Sequence, residues 1–282
     1  MMKLSGILRS GIQFLLCCMI WIPITLLAAA SFMPEDELMY RYSAALGLGK
    51  DTIRFSLLPS YPTIQSYKEL LLYSPGFFVM FWNSCIQVFP TLAGQLMIAA
   101  PASWSFAKYP TKAKRVLFSL YIVLMILPFQ VMMVSNYLVL GTLNLLDSHL
   151  SLILPGIWST LPVFIMAKFF EGIPQTFIEA AHLDGANELC VFFHIALPLG
   201  KPGIITAFML GFFEAWNALE QPIAYLQNRS LWPLSLYLPN ITADKASVAF
   251  AASVVFLFPS VLVFLNGQDF LEQGISSSGI KG

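Results

Sequence analysis

The sequence predicts an all-α membrane protein of six transmembrane helices, with a helical segment in the cytoplasm between the fourth and fifth. Three observations carry that prediction. Of 282 residues, 57% are hydrophobic and only 11% charged. A soluble domain has roughly 25% charged residues, so the solvent for most of this chain is lipid. Six apolar stretches lie near or above the ~20 residues that cross a bilayer as helix: residues 11–31, 77–104, 116–138, 150–167, 204–226 and 247–265. Positive charge gathers in the short loop after the second stretch, as it does on the cytoplasmic side of membrane proteins. Residues 1–282 read as a single transmembrane domain in contact with membrane lipid. A net charge of zero argues against a nucleic-acid partner.

The first stretch follows Lys3 and Arg9, and Ala28-Ala29-Ala30 imitates a signal cleavage site. Its apolar run is longer than the 7–15 residues of a signal core, so a retained helix is predicted. The long loop 32–76 after it faces outward. Within that loop, Gly47-Leu48-Gly49-Lys50-Asp51-Thr52 faintly resembles a phosphate loop. It lacks the first Gly at the required spacing, and Asp follows Lys where Ser or Thr should hold magnesium, so no ATP site is expected in this chain.

The second stretch carries a polar stripe of Asn83, Gln87, Thr91 and Gln95, each four residues after the last. Amides and hydroxyls at that spacing share one helix face. They can bond sugar hydroxyls along a substrate path, with Asn83 and Gln87 as candidates, or join one helix to another. Lys108, Lys112, Lys114 and Arg115 follow directly. Positive charge stays inside, so both termini and segment 169–203 are placed in the cytoplasm, and the loops around Leu143 and Asn240 outside.

In the fifth stretch Glu214, Asn217, Glu220 and Gln221 interrupt an apolar run. At about 100° per residue they fall within an arc of roughly 120° on a continuous helix. Glu214 should lie close to the midplane. An intramembrane charge costs about 3 kcal/mol, so such groups face protein or water. The stretch reads as a polar wall along a substrate path, or as a hydrogen-bonding face against another helix. Pro222 then bends or ends the helix.

Other chemistry is sparse. Cys17, Cys18, Cys85 and Cys190 form no framework and have no metal-ligand spacing with the histidines; buried small hydrophobes is the expected role. His149 falls in an outer loop, and His182 and His194 in the cytoplasmic segment, without a nucleophile or metal set beside them. Asn228-Arg229-Ser230 and Asn240-Ile241-Thr242 fit a glycosylation pattern that short motifs meet by chance.

Segment 169–203 holds Glu171, Glu179, Asp184 and Glu188 against a single Lys201, interleaved with Phe177, Ile178, Leu183, Val191, Phe192, Phe193 and Ile195. Pro174 can begin a helix, Gly185 permits a sharp turn and Pro198 ends the second helix. Two short acidic, amphipathic helices at an angle are expected. Such a surface suits a partner's groove, through apolar anchors with a rim of charge. Lying flat on the membrane is disfavoured by the acidic balance, because anionic lipid attracts Lys and Arg.

Glu179-Ala180-Ala181, Asp184-Gly185-Ala186, Ile195 and Leu197-Pro198 resemble the cytoplasmic loop motif of ABC-importer permeases, the binding-protein-dependent inner-membrane component. The chain is similar to the carbohydrate subgroup related to the maltose permease, and within it to the shorter six-span partner. Asn83-Ser84, Leu127-Pro128, Trp216-Asn217 and the Gly-rich, Lys-Gly ending 274–282 agree. The resemblance covers essentially everything from the second span onward. It implies that the Glu179 loop is a coupling helix seated in a cleft of a cytoplasmic ATPase. It further implies a second permease subunit, two ATPase subunits and an extracytoplasmic binding protein, all at a bacterial inner membrane. ATP and magnesium would belong to the ATPases, leaving this chain with no cofactor and no catalytic residue. Its short polar tail would lie near them. Val134-Ser135-Asn136-Tyr137 departs from the family, which usually has a proline there, and Glu220-Gln221-Pro222 is more polar than the family's aliphatic residues. The expected function is sugar or oligosaccharide import. The alternatives are a permease for polyamine, phosphate or amino acid, or an intramembrane enzyme using Glu214.

Overall fold

A computed structural model describes residues 2–42, 44, 56, 58–109, 111–238 and 245–279. The Gly47–Thr52 stretch, the Asn240-Ile241-Thr242 sequence with its loop, and the closing Ile280-Lys281-Gly282 lie outside the described residues. The regular elements are helices, and no strand occurs among the described residues. Contacts divide the chain into two compact units, Met1–Phe78 with Tyr237–Phe258 and Val79–Leu236 with Pro259–Gly282.

In the first unit, α1 (Met2–Ala30) leads into the short helices α2 (Glu35–Tyr42) and α3 (Gln65–Tyr73). Ala30, Met33 and Leu38 form a small core with Tyr42 and Phe250. Glu35 accepts hydrogen bonds from Ala246 N at 3.2 Å and Ser247 N at 2.9 Å. It thereby caps the last helix, α14 (Ala246–Gly279), whose first N–H groups have no partner within the helix. Glu37 accepts from Ser60 N at 2.8 Å and pairs with Arg41 at 2.7 Å.

α4 (Pro75–Lys108) runs 34 residues, from Val79 onward in the second unit, and is followed by α5 (Lys112–Ile126) and α6 (Phe129–Thr142). Next come α7 (Leu150–Ile157) and α8 (Leu161–Glu171), then the chain reaches α9 (Gln175–Leu183) and α10 (Glu188–Val191). A π turn, Phe192–Ala196, and α11 (Leu197–Leu199) lead to α12 (Lys201–Trp216) and α13 (Glu220–Tyr225). Trp104, Val163, Met166, Phe170, Ile178 and Val191 are buried together in one core, so α4, α8, α9 and α10 share an interior. Gly200 sits where a Cβ would collide with the Phe170 ring, and only glycine allows that approach.

Among the described residues, four helices are long and apolar enough to cross a membrane: Ser10–Ala30, Pro75–Lys108, Leu150–Glu171 and Ala246–Gln273. Two bent pairs raise the number to as many as six if each is one span. The first bent pair corrects the sequence reading. A single helix over 116–138 was expected, but α5 and α6 meet at 102° across Leu127-Pro128. Pro128 removes an N–H and drives Leu127 to an extended ψ of 139°. Residues 134–137 run unbroken within α6, so the bend needs no proline there.

The second correction concerns the fifth stretch. Its helix begins early, at Lys201, and stops at Trp216 rather than running through 226. The Pro222 ring would meet the carbonyl four residues earlier, that of Ala218, in a continuous helix. The break falls at that point, and Ala218 O accepts from Ser235 Oγ instead. A third difference is the tail: residues 266–279 continue α14 as helix.

Candidate functional site

The segment from α9 to α11 is built by three local devices. Pro174, extended at φ −60° and ψ 135°, opens α9. Gly185 closes it at φ +82°, a left-handed conformation open to glycine at little cost. There Gly185 N donates to His182 O at 3.0 Å and Ala186 N to Ala181 O at 2.9 Å. That pair of bonds is the Schellman closure, and it satisfies carbonyls that a helix end leaves bare. Asn187 then starts α10, its side chain accepting from Cys190 N at 2.8 Å. Pro198, with no N–H and a ring that crowds the carbonyl of His194, coincides with a widened turn in which Leu197 N bonds Phe192 O.

The surface these devices present is mixed. Ile178, Val191 and Ala196 are buried, while Leu183 is 90% exposed and Leu189 69%. Phe177 and Phe193 are exposed as well. Glu179, Ala180, Asp184, Gly185 and Glu188 stand at the surface among them, with Ala181, Ala186, Ile195 and Leu197 half-buried and Pro198 exposed. The motif residues from 179 to 186 thus sit on one helix and its closing turn, and those from 195 to 198 on the following one.

Lys108, read from the sequence only for topology, and Tyr109, which the sequence reading did not single out, tie this segment and its lead-in to the end of α4. Lys108 Nζ donates to the Ile173 carbonyl and, at 3.4 Å, to that of Glu171. Tyr109 donates its hydroxyl to Glu188, whose other oxygen lies 3.5 Å from His182 Nε2. Burial, together with the bond to and charge of Glu188, pushes Tyr109 up to about 12. A basic loop beside an acidic segment was the available signal; which residues pair depends on the fold.

The polar stripe of α4 is buried along its length. Asn83 Nδ2 donates to Ser230 O at 2.7 Å and Trp232 O at 3.0 Å. Gln87 Nε2 reaches Leu231 O at 2.9 Å and lies 3.1 Å from His149 Nδ1. Burial pushes His149 down, favouring the neutral ring that can accept there. Gln95 Nε2 donates to Gly156 O at 2.8 Å, and Thr91 bonds within its own helix.

In the fifth stretch, Glu214 lies in the last turn of α12 and Asn217 caps it, both exposed, with Asn217 Nδ2 bonded back to Phe213 O at 2.8 Å. Glu220 and Gln221 open α13 beyond the break, so the expected arc on one continuous helix is replaced by two short faces. Gln130, one residue into α6 after the Pro128 bend, donates to Glu220 at 3.3 Å. Two interrupted helices therefore meet through an amide and a carboxylate, a pairing visible only in three dimensions. Among the described residues there is no group of His, Cys, Asp or Glu that could hold a metal ion.

Residues 97–277 match the family described as binding-protein-dependent transport system inner membrane component. The chain belongs to that family. It is therefore a multi-pass permease of a transport system that includes a solute-binding protein. The match takes in α9 to α13 and most of α14. The chain is 27% identical to the arabinooligosaccharides transport system permease protein AraQ of Bacillus subtilis strain 168, over 92% of this chain and 90% of that one. It is 30% identical to Protein LplC of the same organism, over 93% and 89%. In fold it is similar to a chain of a bacterial ABC transporter involved in import of the acidic polysaccharide alginate, with a TM-score of 0.81 at 20% identity, over 95% of this permease and 96% of that chain.

Proposed function

We propose that this permease is the six-span transmembrane subunit of an ATP-driven sugar or oligosaccharide importer, with both termini in the cytoplasm. It pairs with a second permease subunit, receives sugar from an extracytoplasmic binding protein, and couples to two ATPase subunits that bind ATP and magnesium. The observation that carries the reading is the α9–α11 segment. A rigid helix and turn display bare leucines and phenylalanines beside Glu179, Asp184 and Glu188. Apolar anchors rimmed by charge suit a groove on a partner. Closure of the ATPases would then move the segment and, through Gly200, α12.

The sugar assignment draws support from the arabinooligosaccharides named for one relative. Along the path we assign Glu214, Asn217, Glu220 and Gln221, with Asn83 and Gln87 of α4 bordering it. Co-purification of the complex tests the docking role. Glu179→Lys and Gly185→Trp should abolish both uptake and ATPase assembly while membrane insertion persists; normal uptake in both would sink the reading. For the path, Asn217→Leu should slow sugar uptake with the ATPases still attached. Unchanged uptake kinetics would return that face to packing.

A further inference from the structure

The α9–α11 segment must not only bind a partner but also pass its movement on. We propose that Tyr109 and Glu188 form the joint that makes the docking segment and α4 move as one lever, an inference that rests on the docking role proposed for that segment. Glu188 is the first residue of α10, and its carboxylate collects three elements. It accepts the Tyr109 hydroxyl, from the residue directly after α4, and approaches His182 of α9 at 3.5 Å. Its own backbone begins the run Glu188–Leu199, which meets α12 at 70°.

The two contacts at that carboxylate are unequal. His182 and Glu188 have side chains 39% and 59% exposed, and ion pairs so open to water contribute little. The Tyr109 bond ends on the same open carboxylate, but it is a directional O–H to carboxylate contact, a class roughly twice as strong as a neutral hydrogen bond. The Tyr109 ring is steadied further by Lys114 Nζ, 5.6 Å from its centroid, and Lys114 is itself bonded to Ser105 of α4 at 2.7 Å. The pair therefore acts on position, and neither residue needs to touch solute or nucleotide.

The other contacts of α4 decide where the movement goes. Its buried amides grip the 230–232 turn and the Gly156 carbonyl. At ~1.5 Å per residue the helix is about 51 Å long, so a displacement at Lys108 and Tyr109 reaches contacts near its far end. A core of apolar side chains resists compression but allows sliding; a directional bond between Tyr109 and Glu188 opposes the sliding.

The test uses the complete transporter, with both permeases, the ATPases and the binding protein, reconstituted in proteoliposomes. ATP hydrolysis and solute uptake are read in the same vesicles, and ATPase stoichiometry is read by co-purification. Tyr109→Phe should keep the ATPases and their hydrolysis while solute moved per ATP falls about tenfold, as loss of one charge-assisted hydrogen bond allows. Glu188→Gln, which keeps an acceptor without the charge, should fall about threefold. The double variant Tyr109→Phe with Glu188→Ala should be no worse than Glu188→Ala alone, because both remove the same bond. An unaltered ratio in Tyr109→Phe and Glu188→Gln overturns the proposal, as do single losses that multiply in the double variant. Failure of the docking role looks different: Glu179→Lys would retain its ATPases and normal uptake.

Discussion

Two polar islands interrupt this apolar chain, and they are built in opposite ways. On α4, Asn83, Gln87, Thr91 and Gln95 are buried, and their donors end on carbonyls, or for Gln87 also on a histidine, of the same chain. In the α9–α11 segment the backbone is closed by its own turn, but leucines and acidic side chains are left bare. The first island has finished its bonding within the subunit. The second has an ordered scaffold with an unfinished surface. Where both occur in one chain, partner-facing function is better sought at exposed apolar groups on a stiff frame than at polar groups inside a span.

The sharpest way to break that contrast is Leu183→Asp. At 90% exposure, its thermal stability should shift by less than about 0.5 kcal/mol. ATPase co-purification should nevertheless fall more than about tenfold, the scale of losing an interface anchor. Equal loss of stability and assembly would mean that Leu183 supports the fold. Asn83→Leu should do the reverse. Two carbonyls, Ser230 and Trp232, lose their donor, at a cost of about 1–3 kcal/mol in thermal unfolding. The folded fraction should retain its full complement of ATPases. Full stability with impaired uptake would instead mean that Asn83, beside the path, acts on solute rather than on the fold.

A smaller effect comes from a third polar group finished within its own unit. Burial alone would raise the Glu37 carboxyl, but hydrogen bonds from Ser60 and Tyr61, with the charge of Arg41, hold it below its ordinary 4.5. A carboxyl lowered by folding contributes stability above its unfolded value, and that contribution is lost as pH falls through the folded value. Thermal stability should therefore decline on acidification below about pH 4.5, and Glu37→Gln should show a shallower decline. Identical acid profiles would remove Glu37 as the source.

The fold class was legible because lipid imposes one rule on every spanning segment, and composition reports it directly. The turn at Gly185 was legible too, since its glycine and the proline at 198 mark local backbone conformations. The two broken spans were less so. Leu127-Pro128 and Pro222 were present in the sequence, yet hydropathy averages over them, and apolar residues continue on both sides of each break. The joint at Tyr109 and the meeting of Gln130 with Glu220 were hidden for another reason. Their partners lie 79 and 90 residues apart, and no periodicity connects them.

The cap on α14 has a temporal consequence. Glu35 and Ala246 are separated by 211 residues, which at roughly 5–20 residues per second is on the order of 10–40 s of synthesis. The carboxylate that caps α14 is thus made 211 residues before the N–H groups it accepts from, and that pairing forms only after they emerge. Birth order and bonding order are reversed in this unit.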